Sequence, residues 1–257
     1  MNCIEGFGMK KAILLAASVC VLAACSTTPD LPQGADLKEA ARINTELGMD
    51  YARKGDVSLA LEKLNRALSE NPDYALAHSS IAYVYAMRGD AGEAESQYRK
   101  ALSLTPSDPD IRNNFGVFLC AHGKADEAQR NFAEAANNLG YSTPAAAWTN
   151  AGICALRQKD VDHADNYFRT ALKIDPAFPD ALAQMAALTY QQQDYLRARA
   201  FIQRYETVAK PTPKTLWLGA MTETALGNAA GGRDYAMRLK RDFPASDEAA
   251  NIKLPQQ

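Results

Sequence analysis

The chain has 257 residues, of which 47% are hydrophobic and 23% charged, and its formal net charge at pH 7 is −2. Nowhere do basic residues form a block, which argues against a nucleic acid as partner. With only three histidines and five cysteines, few side chains are available for nucleophilic or metal chemistry.

Residues 1–24 have the pattern of a bacterial lipoprotein signal peptide. Lys10 and Lys11 precede an apolar run over residues 12–24. This run is too short to cross a bilayer, which takes about 20 apolar residues in a helix. It ends in the sequence LAAC at residues 22–25, which resembles a lipobox. Cys25 is therefore predicted to carry the lipid and to become the mature amino terminus.

The lipid on Cys25 predicts a membrane anchor for a protein whose body stays in the aqueous phase. Ser26 follows the cysteine, and by its resemblance to sorted lipoproteins this residue indicates the periplasmic face of the outer membrane. The alternative is a simple cleaved signal that ends near a cysteine by coincidence. Met9 is a better start than Met1 because it directly precedes the lysines. Residues 25–37, rich in Pro, Thr and Ser at their start, are predicted to be an extended tether.

The body of the chain is a series of similar segments. Residues 44–72 and 78–106 match at an offset of 34 residues, and further copies follow. Within these segments, Gly or Ala recurs at the eighth position, Ala at the twentieth and a large apolar residue at the twenty-fourth. The pattern resembles the tetratricopeptide repeat, a helix–turn–helix unit of 34 residues. Six repeats start near residues 41, 75, 109, 145, 179 and 213.

These repeats predict an all-α solenoid over residues 38–244, a right-handed superhelix of about six helix pairs. The small residues lie where helices would cross closely, and Leu, Phe and Tyr would fill the spaces beside them. Four glycines occupy the same position of their repeats and mark the turn between the two helices: Gly55, Gly89, Gly123 and Gly227. Residues 245–257 are predicted to be a C-terminal tail or a short polar cap.

Two cysteines, Cys120 and Cys154, remain after the signal peptide and the lipid site. They occupy the first helices of the third and fourth repeats, which lie side by side in such a solenoid, so an oxidising periplasm favours a disulfide. The alternative is a pair of buried free thiols that act as small hydrophobic residues. A nucleophilic cysteine would need a histidine base, and the histidines fall on different repeats. We predict no catalytic residue, no metal and no cofactor.

The concave groove of the solenoid is predicted to bind a protein segment. The helix positions that usually face it carry mainly apolar side chains: Met49, Tyr83, Met87, Asn113, Val117 and Ile153, with Tyr190 further along. Capture of a terminal carboxylate would need a cluster of Lys, Arg and Asn residues, and only Arg53, Arg157 and scattered Asn residues are candidates. We expect an apolar peptide or helix in the first three repeats. Alternatively, several of these side chains pack inside the solenoid.

The segment 113–172 is more specific than a general repeat. With its NNFGVFLCAHG and TPAAAWTNAGIC motifs, paired cysteines, lipobox and six repeats, the chain resembles the type IV pilus biogenesis lipoproteins that act as pilotins for the outer-membrane secretin. The resemblance implies a secretin as partner and a role in its localisation or multimerisation, hence in pilus assembly and twitching motility. Some members act instead on pilus stability. The alternative is another repeat lipoprotein that organises cell-wall hydrolases or outer-membrane assembly. None of these functions is enzymatic or needs a small-molecule substrate.

Overall fold

A computed structural model of the protein describes residues 33–252, with side chains from residue 36 onwards. The predicted signal peptide 1–24, the lipid site Cys25 and the start of the predicted tether lie outside the described residues. Within residues 33–252 all the regular secondary structure is helical. The prediction of an all-α tetratricopeptide-repeat solenoid is confirmed.

Twelve helices form six pairs, and a short thirteenth follows them. Their bounds are α1 Gln33–Arg53, α2 Val57–Glu70, α3 Ala75–Arg88, α4 Ala91–Leu104, α5 Pro109–Ala121, α6 Ala125–Ala136, α7 Pro144–Arg157, α8 Val161–Ile174, α9 Pro179–Gln191, α10 Tyr195–Val208, α11 Pro213–Ala225, α12 Ala229–Asp242 and α13 Asp247–Asn251. Each odd-numbered helix from α1 to α9 packs against its own partner and against the odd-numbered helix of the next repeat. The six odd-numbered helices therefore lie side by side and form one wall of the solenoid.

Close helix crossings explain why small residues recur in the repeats. Gly116 of α5 faces the ring of Phe132 of α6, and a Cβ atom added to this glycine would lie 2.7 Å from Cε1 of the ring. Ala128, one turn before Phe132, is fully buried at the same crossing. The small residues thus let the paired helices approach, and the aromatic ring then fills the space beside them.

The turns inside the repeats need a residue in the left-handed conformation. Gly89 supplies it in the second repeat, with φ of 90°. In the fourth and fifth repeats, where the glycine is absent, Lys159 and Gln193 take up the same conformation with φ of 63° and 62°. The repeat geometry therefore imposes this conformation on side chains for which it costs about 1 kcal/mol.

The amino-terminal end of the solenoid differs from the predicted boundary. The tether was predicted to reach residue 37, but α1 already begins at Gln33, because residues 33–53 contain no proline and include many good helix formers such as Ala, Leu, Lys and Glu. The tail contains α13, which Ser246 caps by accepting a hydrogen bond from the backbone N–H of Ala249 at 3.1 Å. The cap is apolar on its inner side, since Ala249 and Ile252 are buried against Leu216 and Leu239.

Candidate functional site

The wall of odd-numbered helices carries a groove along α1, α3 and α5, with one lining residue from α7. Two adjoining cavities form it, with volumes of about 320 and about 410 Å3. Tyr83 and Asn114 line both cavities. We call this surface the proximal groove; its main lining residues are Met49, Arg53, Leu76, Tyr83, Met87, Asn113, Asn114, Val117, His122 and Asn150.

The structure brings five of the six predicted groove residues together. Met49 lines the first cavity, Met87, Asn113 and Val117 line the second, and Tyr83 lies between them. Tyr83, Met87 and Val117 are 42%, 45% and 46% exposed. Large apolar side chains are thus left uncovered on one continuous surface.

Ile153 lies elsewhere. Its side chain is half-buried and packs against the core cluster of the fourth and fifth repeats that contains Phe168 and Met185. Ile153 therefore follows the alternative interpretation, in which several helix-face residues pack inside the solenoid. Tyr190 is on α9, also outside the proximal groove, next to Trp217 of α11.

The polar groove side chains that the sequence did not predict include Asn114, His122 and Asn150. Asn150 donates a hydrogen bond from Nδ2 to Oδ1 of Asn113 at 3.0 Å and so joins α7 to α5. His122 donates from Nδ1 to the backbone carbonyl of Phe118 at 2.8 Å, and its ring lies 4.2 Å from the ring of Phe118. Asn114 and Asn150 occupy the sixth position of their repeats, and this shared position was the available signal.

The charges at the groove are compensated within the protein. Arg53 forms an ion pair with Asp50, one turn earlier on α1. Glu46 accepts from Arg42 at 2.5 Å on the same helix. Where Tyr98 lines the second cavity, burial raises the pKa of its hydroxyl further above the ordinary value, so this side chain adds no charge to the groove. The proximal groove therefore offers apolar contact and amide hydrogen bonds rather than a cationic cluster.

A disulfide between Cys120 and Cys154 joins α5 to α7 in the structure, with their Cα atoms 5.7 Å apart. Cys154 is fully buried and Cys120 nearly so, and both belong to the core cluster beneath the groove. The longer turn that separates the third and fourth repeats is held by Asn138, which donates from Nδ2 to the carbonyl of Ser107 at 2.7 Å. The disulfide thus holds together the two repeats that meet at Asn113 and Asn150.

Comparison with known proteins decides the family. Models of the tetratricopeptide repeat match residues 45–109, 97–130 and 145–178. The crystal structure of PilW, a widely conserved type IV pilus biogenesis factor, is 31% identical in sequence with a TM-score of 0.71, and the match covers 82% of this chain and 96% of PilW. The chain belongs to the family of type IV pilus biogenesis tetratricopeptide-repeat proteins.

Other relatives agree with this placement. The type IV pilus assembly protein PilF of Pseudomonas aeruginosa is 27% identical over 210 residues, which are 82% of this chain and 83% of PilF. The solved PilF structure has a TM-score of 0.71 and covers 84% of this chain. A tetratricopeptide repeat protein from Parabacteroides merdae, with 18% identity and a TM-score of 0.61, shares the fold.

In this pilus biogenesis protein, the two histidines outside the proximal groove make contacts within the fold. His78 contacts Oε1 of Gln97 at 2.6 Å and the carbonyl of Pro72 at 3.0 Å, while His163 contacts Asp160 at the start of α8. Among residues 36–252, no three His, Cys, Asp or Glu side chains gather in the manner of a metal site. In the same part of the chain, no helix combines the length and apolar character needed to cross a membrane.

Proposed function

We propose that the protein is a non-enzymatic adaptor that acts as a pilotin: it escorts the secretin of the type IV pilus and promotes its multimerisation in the outer membrane. The lipid on Cys25 anchors it to the periplasmic face, and the proximal groove binds the secretin. The observation that carries this proposal is the uncovered apolar surface at Tyr83, Met87 and Val117. Membership of the pilus biogenesis family supports it.

The composition of the groove suits an apolar segment of a partner. Methionine side chains are unbranched and polarizable, so Met49 and Met87 adapt to different apolar shapes. Asn113, Asn114 and Asn150 add amide groups that hydrogen-bond a peptide backbone. An amphipathic helix or an extended peptide placed along α1, α3 and α5 would cover the exposed side chains.

The short chain between the predicted lipid site and the solenoid supports a function at the membrane surface. Seven residues separate Cys25 from Gln33, and the chain between them spans at most about 28 Å when extended. The first repeat, and with it Met49, would stay within reach of a partner that is entering the outer membrane. This closeness favours a role in placing a membrane protein over a role deep in the periplasm.

Deletion and complementation test the proposal. We expect that deleting the gene abolishes SDS-resistant secretin multimers and twitching, and that the wild-type gene restores both while Cys25→Ser does not. Met87→Asp should fail to restore multimers because it places a charge in the apolar groove. Met237→Asp is the matched control, since Met237 is 59% exposed on α12, away from the groove. Normal multimers in the deletion strain would rule out the pilotin role.

Photo-crosslinking separates this function from its alternatives. A crosslinking amino acid at Tyr83 should capture the secretin in cells. Capture of a cell-wall hydrolase or of an outer-membrane assembly factor would assign the protein to one of those machines instead. Normal multimers together with pili that disappear only when retraction is active would indicate a role in pilus stability.

A further inference from the structure

A second apolar cavity lies at the other end of the wall, in the fourth to sixth repeats. Its volume is about 360 Å3, and its lining side chains come from α7, α9 and α11. We call it the distal pocket; its main lining residues are Leu156, Leu188, Tyr190, Lys214, Trp217 and Leu218. No residue lines both this pocket and the proximal groove, so the two surfaces are separate.

The aromatic wall of the distal pocket is held in place before any ligand binds. The ring of Tyr190 lies edge-on to Trp217 at 6.3 Å and is 5.5 Å from the ring of Tyr195. Trp217 also packs against the buried side chains of Ile202 and Leu218. A ring fixed on both sides loses little conformational freedom on binding, which favours capture of an apolar side chain.

The charge of the distal pocket is different from that of the proximal groove. Lys214 is exposed at its edge and has no ion-pair partner among residues 36–252, and no acidic side chain lines the pocket. Lys214 lies in the first turn of α11, and that turn holds no acidic residue. The positive end of the helix dipole adds to the ammonium charge there. This edge therefore attracts a negative group.

Amide groups complete the lining. Gln184 and Gln191 of α9 both face the pocket, and neither side chain forms a hydrogen bond with another described residue. Free amides beside an apolar pocket are suited to the peptide groups of an extended segment. The pocket thus combines an aromatic wall, a cation and peptide-binding amides.

We propose that the distal pocket is a second docking site, which binds a protein segment with an aromatic or aliphatic anchor residue next to an aspartate or glutamate. The anchor fills the space between Leu188 and Trp217, and the neighbouring carboxylate pairs with Lys214. This site goes beyond the function proposed for the proximal groove. It would allow the protein to hold two segments at once, one apolar and one acidic.

Matched peptides test the proposal on the full-length chain in nanodiscs. Each fluorescent decapeptide carries a central Phe-Leu pair and blocked ends; one has Asp on both sides of the pair, one has Lys, and a third has Asp with Ala-Ala in the centre. By fluorescence anisotropy we expect the Asp peptide to bind about fivefold more tightly than the Lys peptide, the gain of one exposed ion pair. The Ala-Ala peptide should show no saturable binding.

Variants locate the site. Lys214→Gln should remove the preference for Asp, and Lys214→Glu should reverse it; the side chain is exposed, so circular dichroism should show an unchanged fold. Lys240→Glu makes the same charge change on α12 and should leave binding unaltered. Met87→Asp should also leave it unaltered, which separates this result from failure of the proximal groove.

Several results would overturn the proposal. These are no binding of any peptide at millimolar concentration, equal affinity for the Asp and Lys peptides, and unchanged affinity in Lys214→Glu. Sedimentation provides a further check, because concentration-dependent dimers that Lys214→Glu abolishes would assign the pocket to a second copy of this chain.

Discussion

Gly152 of α7 lies directly against the ring of Phe168 of α8. A Cβ atom built on this glycine would come within 2.4 Å of Cε1 and 2.7 Å of Cδ1 of the ring. The ring is itself fully buried and cannot turn away into solvent. The fourth repeat therefore depends on the absence of a single methyl group.

Gly152→Ala should destabilise the protein by about 1–3 kcal/mol, the usual cost of overfilling a packed core. The measurement is the thermal unfolding midpoint by circular dichroism. Gly92→Ala is the control, because Gly92 is helical and a Cβ atom there meets nothing within 4 Å. Alanine should stabilise that site by up to about 1 kcal/mol. Equal midpoints for the two variants would show that the crossing adjusts without strain.

The bond between Cys120 and Cys154 closes a loop with a sequence separation of 34 residues. The chain-entropy estimate gives such a loop about 3–4 kcal/mol of stabilisation. Adding reductant should therefore lower the unfolding midpoint of the wild type by several degrees. The Cys120→Ala, Cys154→Ala double variant should start lower and show no response to reductant. Two titratable thiols in the unreduced, denatured protein would contradict the bond.

Glu223 is the buried acceptor of an interrepeat network. Its carboxylate accepts from Arg199 at 2.7 and 2.6 Å and from Nδ2 of Asn228 at 2.6 Å. Glu223→Gln should lower the stability, because the half-buried guanidinium of Arg199 loses its charged partner and the buried acceptor loses its charge. Chemical denaturation measures the loss. Glu62→Gln, on an exposed pair with Lys63, should change stability much less.

Glu95 should contribute a pH-dependent part of the stability. Hydrogen bonds from Lys124 and Arg99 lower the pKa of its carboxyl below the ordinary value of 4.5. Because the folded pKa is the lower one, the stabilisation is complete above about pH 4.5 and is lost as the pH falls through the folded pKa. Glu95→Gln should therefore lower the unfolding midpoint at pH 7 and make no difference at pH 2.

The control for this pH effect is Glu93→Gln on the same helix. Glu93 is exposed and has no ion-pair partner among residues 36–252. Its replacement should leave the midpoint nearly unchanged at both pH values. A gap between wild type and Glu95→Gln that stays constant down to pH 2 would mean that the variant acts through packing instead of charge.

Much of the fold could be predicted from the sequence because the helix crossings are tight. A crossing such as that of Gly116 and Phe132 admits one small and one large residue, and this requirement repeats in the sequence at a constant interval. The turns are harder to predict from the sequence. Lys159 and Gln193 adopt the left-handed conformation because the packed helices on either side require it. Local preference alone would have placed a glycine at both positions.

The candidate site was predictable only in part. Met87 and Val117 could be identified because helix-face positions fix which side chains point into a groove. Ile153 was misplaced because, at the fourth repeat, the corresponding side chain packs against Phe168 and its neighbours. Asn150 reaches the groove through a hydrogen bond to the preceding repeat, a contact between elements that no single-repeat pattern contains.

Helix α1 contacts only α2 and α3, and this neighbour-only arrangement continues along the described chain. Such a stack frays from its ends, one repeat at a time, under heat or mechanical load. The covalent link between α5 and α7 interrupts that process, since the third and fourth repeats cannot separate while it is intact. Unfolding that begins at α1 would stop at this link, and the last repeats would stay folded while the first ones unfold and refold.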